Sequence, residues 1–116
     1  MKIVIKDIIK KPIAISTDDG KKTREHIKSV FESYEEVEIS FEGISMLISH
    51  FLNESIGKLY TEYPKEKWKN LDSIVYTGIN KDDLELLQTK VIPNFKNSPS
   101  DKEKFENIQK GILKWV

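Results

Sequence analysis

The spacing of the apolar residues changes from a period of two to a helical period within one stretch, residues 36–60. Val37, Ile39 and Phe41 alternate with polar residues, which predicts a strand with one face in a core and the other in water. A glycine then predicts a turn. The positions that follow at helical spacing are Ile48, Phe51, Leu52, Ser55, Ile56, Leu59 and Tyr60. The stretch therefore predicts a half-exposed strand followed by an amphipathic helix.

The polar side of the predicted strand carries carboxylates. Glu36, Glu38 and Glu42 share the face opposite the apolar residues. A doubly wound fold would cover this face with helices and would bury the carboxylates. The pattern therefore predicts an α/β fold of two layers, in which a sheet carries its main helices on one side.

Further periodic signals extend the α/β order. Runs of β-branched residues predict strands at 3–5 and 13–15, which could form a hairpin, and another at 73–77. Helical spacing and capping residues predict a first helix over about residues 19–33. The second helix should end near Tyr63, because the following proline disfavours helical geometry at that residue.

The last third of the chain contains two more helical patterns. After a charged loop at 65–70, a third helix is predicted from Asn80 to Pro93. Ser100 and Glu103 then form a capping-box pattern. The apolar residues that follow it at helical spacing are Phe105, Ile108, Ile112 and Trp115. We therefore expect an extra C-terminal helix.

The composition limits the classes of function. The 116 residues fit a single domain, 1–116, and 38% hydrophobic residues suffice for one core. Basic and acidic residues number 19 each, so the formal net charge of zero argues against a nucleic-acid or membrane partner. The lack of cysteine excludes disulfides, thiolate zinc sites and cysteine nucleophiles. Because the amino-terminal stretch has no signal-peptide pattern, we expect a cytoplasmic protein.

Ser49 is the most informative polar residue, because it lies at the predicted start of the second helix. It could be a structural N-cap, or it could mark a helix mouth that favours a phosphate or another anion. His50 follows directly, and neighbours on a helix point about 100° apart, so the pair is a poor Ser-His dyad. The only other histidine is His26, on the first helix. We therefore expect no enzyme, no catalytic residue, no metal and no cofactor.

The segments 16–31, 37–44, 49–60 and 78–92 resemble the STAS-like domain family of unknown function. Its members are small bacterial and phage-borne proteins related to sulfate-transporter and anti-sigma-factor-antagonist domains. The most specific part of the resemblance is the run Phe51–Glu54 with Gly57–Tyr60. The resemblance implies a mixed sheet of four to five strands with helices chiefly on one side.

The same resemblance implies a regulatory role. STAS-like proteins are often encoded beside histidine-kinase-like ATPases of the GHKL type. In the related antagonists such a kinase phosphorylates a serine at the start of the helix after the third strand, and by analogy this serine is Ser49. The antagonists have an aspartate before that serine, where this chain has Ile48.

The sequence therefore predicts a non-enzymatic domain that binds a protein partner, with a GHKL-type ATPase as one candidate. The candidate contact residues are Ser45, His50, Asn53 and Glu54, although the pattern favours a structural position for Asn53 and Glu54 on the flank of the second helix. Two alternatives stay open. One is a phage or mobile-element inhibitor or immunity protein that acts by stoichiometric binding, and the other is a module that binds a small anion or a nucleotide.

Overall fold

The strands form two small parallel sheets. A computed structural model describes residues 1–34 and 36–97. The strands are β1 (Lys2–Val4), β2 (Ile13–Ala14), β3 (Glu38–Ser40), β4 (Met46–Leu47) and β5 (Val75–Thr77). The main sheet has the order β1-β3-β5, and β2 pairs with β4 in the second sheet. All of these pairs are parallel.

Helical segments connect and follow the strands. The α-helices are α1 (Ile5–Ile9), α2 (Thr17–Phe31), α3 (Ser49–Leu52), α4 (Leu59–Glu62), α5 (Trp68–Asp72), α6 (Lys81–Leu86) and α7 (Ile92–Asn97). One π-helical segment, Asn53–Gly57, lies between α3 and α4, and another, Leu87–Val91, lies between α6 and α7. A 3-10 turn, Lys65–Lys67, precedes α5.

The α/β class is confirmed, but the sheet differs from the expected one. A sheet of four to five strands is not confirmed, because the described strands divide into groups of three and two. The mixed sheet and the early hairpin are wrong, since every described pair is parallel and β1 and β2 lie in different sheets. The cause is local. Helix α1 follows β1 directly, and the chain then turns through Lys10, which has a left-handed backbone (φ 62°).

The two faces of the main sheet differ in exposure, as the alternating sequence predicted. Ile3 and Ile39 are register partners on the inner face, and both are buried. On the outer face Lys2 pairs with Glu38, whose carboxylate accepts a hydrogen bond from Thr77 Oγ1 at 2.7 Å. Val75 continues the outer row and is 57% exposed. The carboxylate side of β3 is therefore partly open.

The hydrophobic core lies between the inner sheet face and the helices. Burial of each large apolar side chain contributes about 1.5–3 kcal/mol to folding. The fully buried apolar side chains from the helical segments include Ile27, Phe51, Leu52, Ile56, Leu59, Leu71 and Leu87. Most of the apolar positions predicted for the second helix therefore face the core.

The second helix, here called the central helix, spans residues 49–62 and consists of α3, the segment Asn53–Gly57 and α4. Two glycines allow it to pack closely on both sides. A methyl group at Gly20 of α2 would lie 2.6 Å from Cβ of Glu54, and one at Gly57 would lie 2.5 Å from the ring of Phe95. The segment Asn53–Gly57 is thus in close contact with α2 and with α7. Both contacts need the absence of a side chain.

The helix predictions are confirmed in part. Helix α2 starts two residues before the predicted position, and the second helix ends at Glu62, before Pro64. The prediction of a charged loop at 65–70 is wrong, because this stretch is helical. Trp68 Nε1 of this stretch donates a hydrogen bond to the carbonyl of Tyr60 at 3.0 Å. The predicted end of the third helix at Pro93 is also wrong. The π-helical segment Leu87–Val91 runs directly into α7, so the chain remains helical through Pro93 to Asn97.

The predicted C-terminal helix, with Ser100 and Glu103 at its start, lies outside the described residues. Within residues 1–34 and 36–97, no helix has the length and apolar character that a membrane crossing requires.

Candidate functional site

The second sheet brings the starts of α2 and α3 to the same end of the molecule. Strands β2 and β4 run parallel, and each leads into a helix within a few residues. Ser16 caps α2, because its Oγ accepts a hydrogen bond from the Asp19 amide at 3.1 Å. Thr17 Oγ1 of α2 lies 2.6 Å from His50 Nε2 of α3. The two helix starts are therefore linked by side chains.

The adjacent amino-terminal ends of α2 and α3, around Thr17 and His50, are here called the joint helix mouth. Ser49 lies there, but it is not the N-cap of its helix. The N-cap is Ile48, which has an extended backbone and no side chain that could cap. Ser49 is the first helical residue and is exposed. Its hydroxyl forms no hydrogen bond to any part of the chain that the structure describes. The N-cap interpretation is therefore wrong, since the helix starts at Ser49, one residue earlier than it would if Ser49 were the cap.

Both histidines are exposed. The ring of His50 is held by Thr17, and His26 lies on the surface of α2. Across residues 1–34 and 36–97, no three histidine, aspartate or glutamate side chains are grouped in a way that could hold a metal ion. The expectation of no enzymatic activity stays a prediction.

The second sheet also exposes a set of apolar side chains, here called the β2–β4 face. In the parallel register, Ile13 lies opposite Met46 and Ala14 lies opposite Leu47. Ala14 is buried, so the alternate residues point outward. The side chains of this face are Ile13, Ile15, Met46 and Ile48, each between 37% and 53% exposed. Ser49 directly follows the end of this apolar face.

Sequence reasoning missed this face. The helical spacing places Ile48 on the buried side of the second helix, and Ile13 and Ile15 are predicted to lie in a strand that could form a hairpin with residues 3–5. The two-residue spacing of Ile13 and Ile15, and of Met46 and Ile48, was the available signal. It becomes informative only when β2 and β4 are known to pair in parallel.

The predicted contact residues fall into two groups. Ser45 and His50 are exposed beside the β2–β4 face, and Ser45 Oγ donates a hydrogen bond to the carbonyl of Pro12 at 3.3 Å. Glu54 is only 12% exposed, and it forms ion pairs with Arg24 and Lys58. Asn53 is half-buried on the same helix. Their roles in partner binding stay predictions, and Glu54 also has a structural role.

One carboxylate near the helix mouth is held by a lysine. Lys11 Nζ lies 2.9 Å from Asp19 Oδ2, in the first turn of α2. The hydrogen bond from Lys11 lowers the pKa of Asp19, against the opposing effect of its burial. Asp19 therefore remains ionised, with Lys11 as its partner. Anion or nucleotide binding at the joint helix mouth stays a prediction.

The chain was compared with models of known protein families, with curated proteins and with solved structures. A family model described as a STAS-like domain of unknown function (DUF4325) matches residues 19–84, more than half of the chain. The matched region includes β3, β4, Ser49 and the central helix. No curated protein and no solved structure matches.

Proposed function

The chain belongs to the STAS-like domain family, and from this premise we propose that it is a non-enzymatic regulatory domain that binds another protein. The proposed contact surface is the β2–β4 face together with the adjoining polar residues Ser45, Ser49 and His50. The observation that carries the proposal is the exposure of four apolar side chains next to one another. Contiguous exposed apolar patches on soluble proteins commonly mark interaction sites.

The arrangement of the surface supports a protein partner. Its centre is apolar, and hydroxyl and imidazole groups of Ser45, Ser49 and His50 lie at its margin. Protein interfaces commonly have an apolar core surrounded by a polar rim. The backbone of this surface is regular, since strands and helix starts hold it. A partner can therefore bind without first ordering the surface.

We also propose that phosphorylation of Ser49 by a GHKL-type kinase regulates this binding. The hydroxyl of Ser49 is exposed and unbonded within the described residues, so a kinase can reach it. A phosphate there would place about two negative charges beside Ile48 and would disrupt an apolar contact. The start of α3 would tolerate the same charge, because helix amino ends favour anions. Binding could thus be switched while the domain stays folded.

The binding surface can be tested with paired variants. The proposal predicts that Met46→Lys weakens the complex with the protein encoded beside this one by at least about tenfold, since a charge enters the apolar contact. Val75→Lys is the matched control, because Val75 is 57% exposed, Met46 is 53% exposed, and Val75 lies on the other sheet. Affinity is measured by calorimetry with purified proteins. Equal losses in both variants would exclude the β2–β4 face as the contact surface.

The modification can be tested separately. The domain is incubated with a neighbouring GHKL-type ATPase and ATP, and mass spectrometry should detect the gain of one phosphate. Ser49→Ala should abolish the gain, and Ser45→Ala should leave it unchanged. A gain that persists in Ser49→Ala would exclude Ser49. If the Met46-dependent complex forms but no phosphate is transferred, the stoichiometric inhibitor or immunity alternative is favoured.

A further inference from the structure

A second candidate binding site lies at the opposite end of α2 from the β2–β4 face. A cavity of about 520 Å³ is open to solvent there, where α2 ends and the chain near Tyr63 packs against it. Helix α2 has 15 residues, so its two ends are about 20 Å apart. The cavity is therefore separate from the surface proposed for the protein partner.

Aromatic rings form much of the cavity wall. Phe31 and Tyr63 both line it, their ring centroids are 5.2 Å apart, and their planes meet at 65°. The two rings thus form a corner and not a flat stack. Tyr34, which is 50% exposed, is the third aromatic residue of the lining. Corners built from several aromatic rings are suited to organic cations, which bind to the negative faces of the rings.

The electrostatic environment also favours a cation. The cavity lies at the carboxyl end of α2, which carries the negative end of the helix dipole. The Glu32 carboxylate lines it and accepts a hydrogen bond from the Tyr63 hydroxyl at 2.8 Å. Burial and this hydrogen bond raise the pKa of Tyr63, with smaller effects from Glu62 and Glu25. Three carboxylates therefore act on this region.

Two lysines near the cavity partly offset the negative charge of these carboxylates, and they do so to different degrees. Lys28 Nζ is paired with Glu62 at 2.9 Å and with Glu25 at 3.9 Å, so much of its charge is compensated. Lys67 lines the cavity, and no ion pair joins it to any residue within the described ranges. Glu32 is likewise without an ion pair in this part of the chain, and it lies on the same wall as the aromatic residues.

We propose that this cavity binds an N-methylated ammonium group. Aromatic faces, a carboxylate and a helix carboxyl end together suit a weakly hydrated organic cation. An anion would meet Glu32 and the negative helix end, and a neutral apolar group would gain nothing from either. The ammonium could belong to a free small molecule or to a methylated lysine of a protein. This inference does not depend on the proposed regulatory function.

The first test compares choline with dimethylbutanol, the neutral isostere in which carbon replaces nitrogen. Binding is followed by the chemical-shift changes of the backbone amides of residues 31–34 and 63–70 in the intact chain. Choline should bind at least about tenfold more tightly than its isostere, because only the cation is attracted to the ring faces and the carboxylate. Equal binding of the two compounds, or no binding of choline, would overturn the proposal.

Variants assign the effect to particular residues. Tyr34→Leu should weaken choline binding by about tenfold, and Tyr34→Phe, which keeps the ring, should restore most of it. Lys67→Gln should strengthen binding, because it removes an opposing charge. Tyr34 is exposed, so these variants should fold. If Tyr34→Leu and Tyr34→Phe have equal effects, the aromatic ring has no role and the proposal is wrong.

The source of the ammonium is decided by a second comparison. A short peptide with trimethyllysine is titrated beside the same peptide with unmodified lysine. Tighter binding of the trimethyllysine peptide than of choline would identify a protein side chain, and the reverse order would identify a free small molecule. Met46→Lys should leave both affinities unchanged, so failure of this proposal is distinguishable from failure of the proposed regulatory function.

Discussion

Arg24 of α2 donates a hydrogen bond from Nη1 to the backbone carbonyl of Glu54, inside the π-helical segment of the central helix. The same guanidinium lies 3.6 Å from the Glu54 carboxylate and 3.1 Å from that of Glu62. Its side chain is only 7% exposed. One buried cation therefore joins α2 to two successive segments of the neighbouring helix.

Replacing Arg24 with methionine should lower the free energy of unfolding by about 1–3 kcal/mol, because the Glu54 carbonyl loses a hydrogen bond and each of the two carboxylates keeps only its lysine partner. Urea denaturation measures this change through the transition midpoint. The control is Lys28→Met, which removes a more exposed cation from the same carboxylate, Glu62, and should cost less than about 1 kcal/mol. Similar losses in both variants would mean that the buried guanidinium has no special role.

Replacing Gly20 with alanine should lower the free energy of unfolding. In an exposed helix interior, replacing glycine with alanine stabilises by about 1 kcal/mol. At Gly20 the added methyl group would lie 2.6 Å from Cβ of Glu54, so Gly20→Ala should instead destabilise by about 1–3 kcal/mol. Ser29→Ala, at an exposed position of α2, should stay within about 0.5 kcal/mol of the wild type. A more stable Gly20→Ala variant would contradict the close packing.

The sequence predicted those parts of the fold that depend on local patterns. The alternation around Ile39 and the helical spacing after Ser49 identified β3 and the central helix, and Pro64 identified where that helix ends. Local patterns do not report which strands pair. They also missed the helix after Lys65, because the contact of Trp68 with Tyr60 joins residues on different segments.

The candidate site was predictable only in part, for a related reason. Ser49 and His50 were identified because a hydroxyl and an imidazole at a helix start are visible in sequence. The exposure of Ile13 and Ile48 was not visible, since each belongs to a different segment and the face exists only after β2 and β4 pair. Glu54 was ambiguous because Arg24, its ion-pair partner, is 30 residues away in the chain.

The pairing of Lys11 with Asp19 should make folding stability depend on pH in the acidic range. The lowered pKa of Asp19 means that the folded state favours the carboxylate. The ionised Asp19 contributes fully to folding stability above the ordinary pKa of 3.8. This contribution is lost as the pH falls below 3.8 towards the lowered pKa of the folded state. Replacing Lys11 with methionine should therefore reduce the loss of stability on acidification, as measured by urea denaturation from pH 6 to pH 2, a range of about four units that spans the transition.

Lys10→Met is the matched control for that experiment, because Lys10 is the adjacent exposed lysine and forms no ion pair within the described residues. It should leave the acid dependence unchanged. If Lys10→Met and Lys11→Met shift the acid dependence equally, the effect comes from general charge and not from the contact with Asp19.

A negative charge at Ser49 should not unfold the domain, and this separates a regulatory effect from a loss of structure. Ser49 is the first residue of α3, whose first turn contains no acidic residue. Ser49→Asp should therefore raise the free energy of unfolding by about 0.3–1 kcal/mol through the helix dipole, and Ser49→Lys should lower it by a similar amount. Thermal unfolding at low ionic strength, where screening is weak, compares the two variants with Ser49→Ala. A lower melting temperature for Ser49→Asp than for Ser49→Lys would contradict this account, because charge at the helix start would then act against the dipole. If Ser49→Asp remains stable but no longer binds the partner, the charge acts at the β2–β4 face itself.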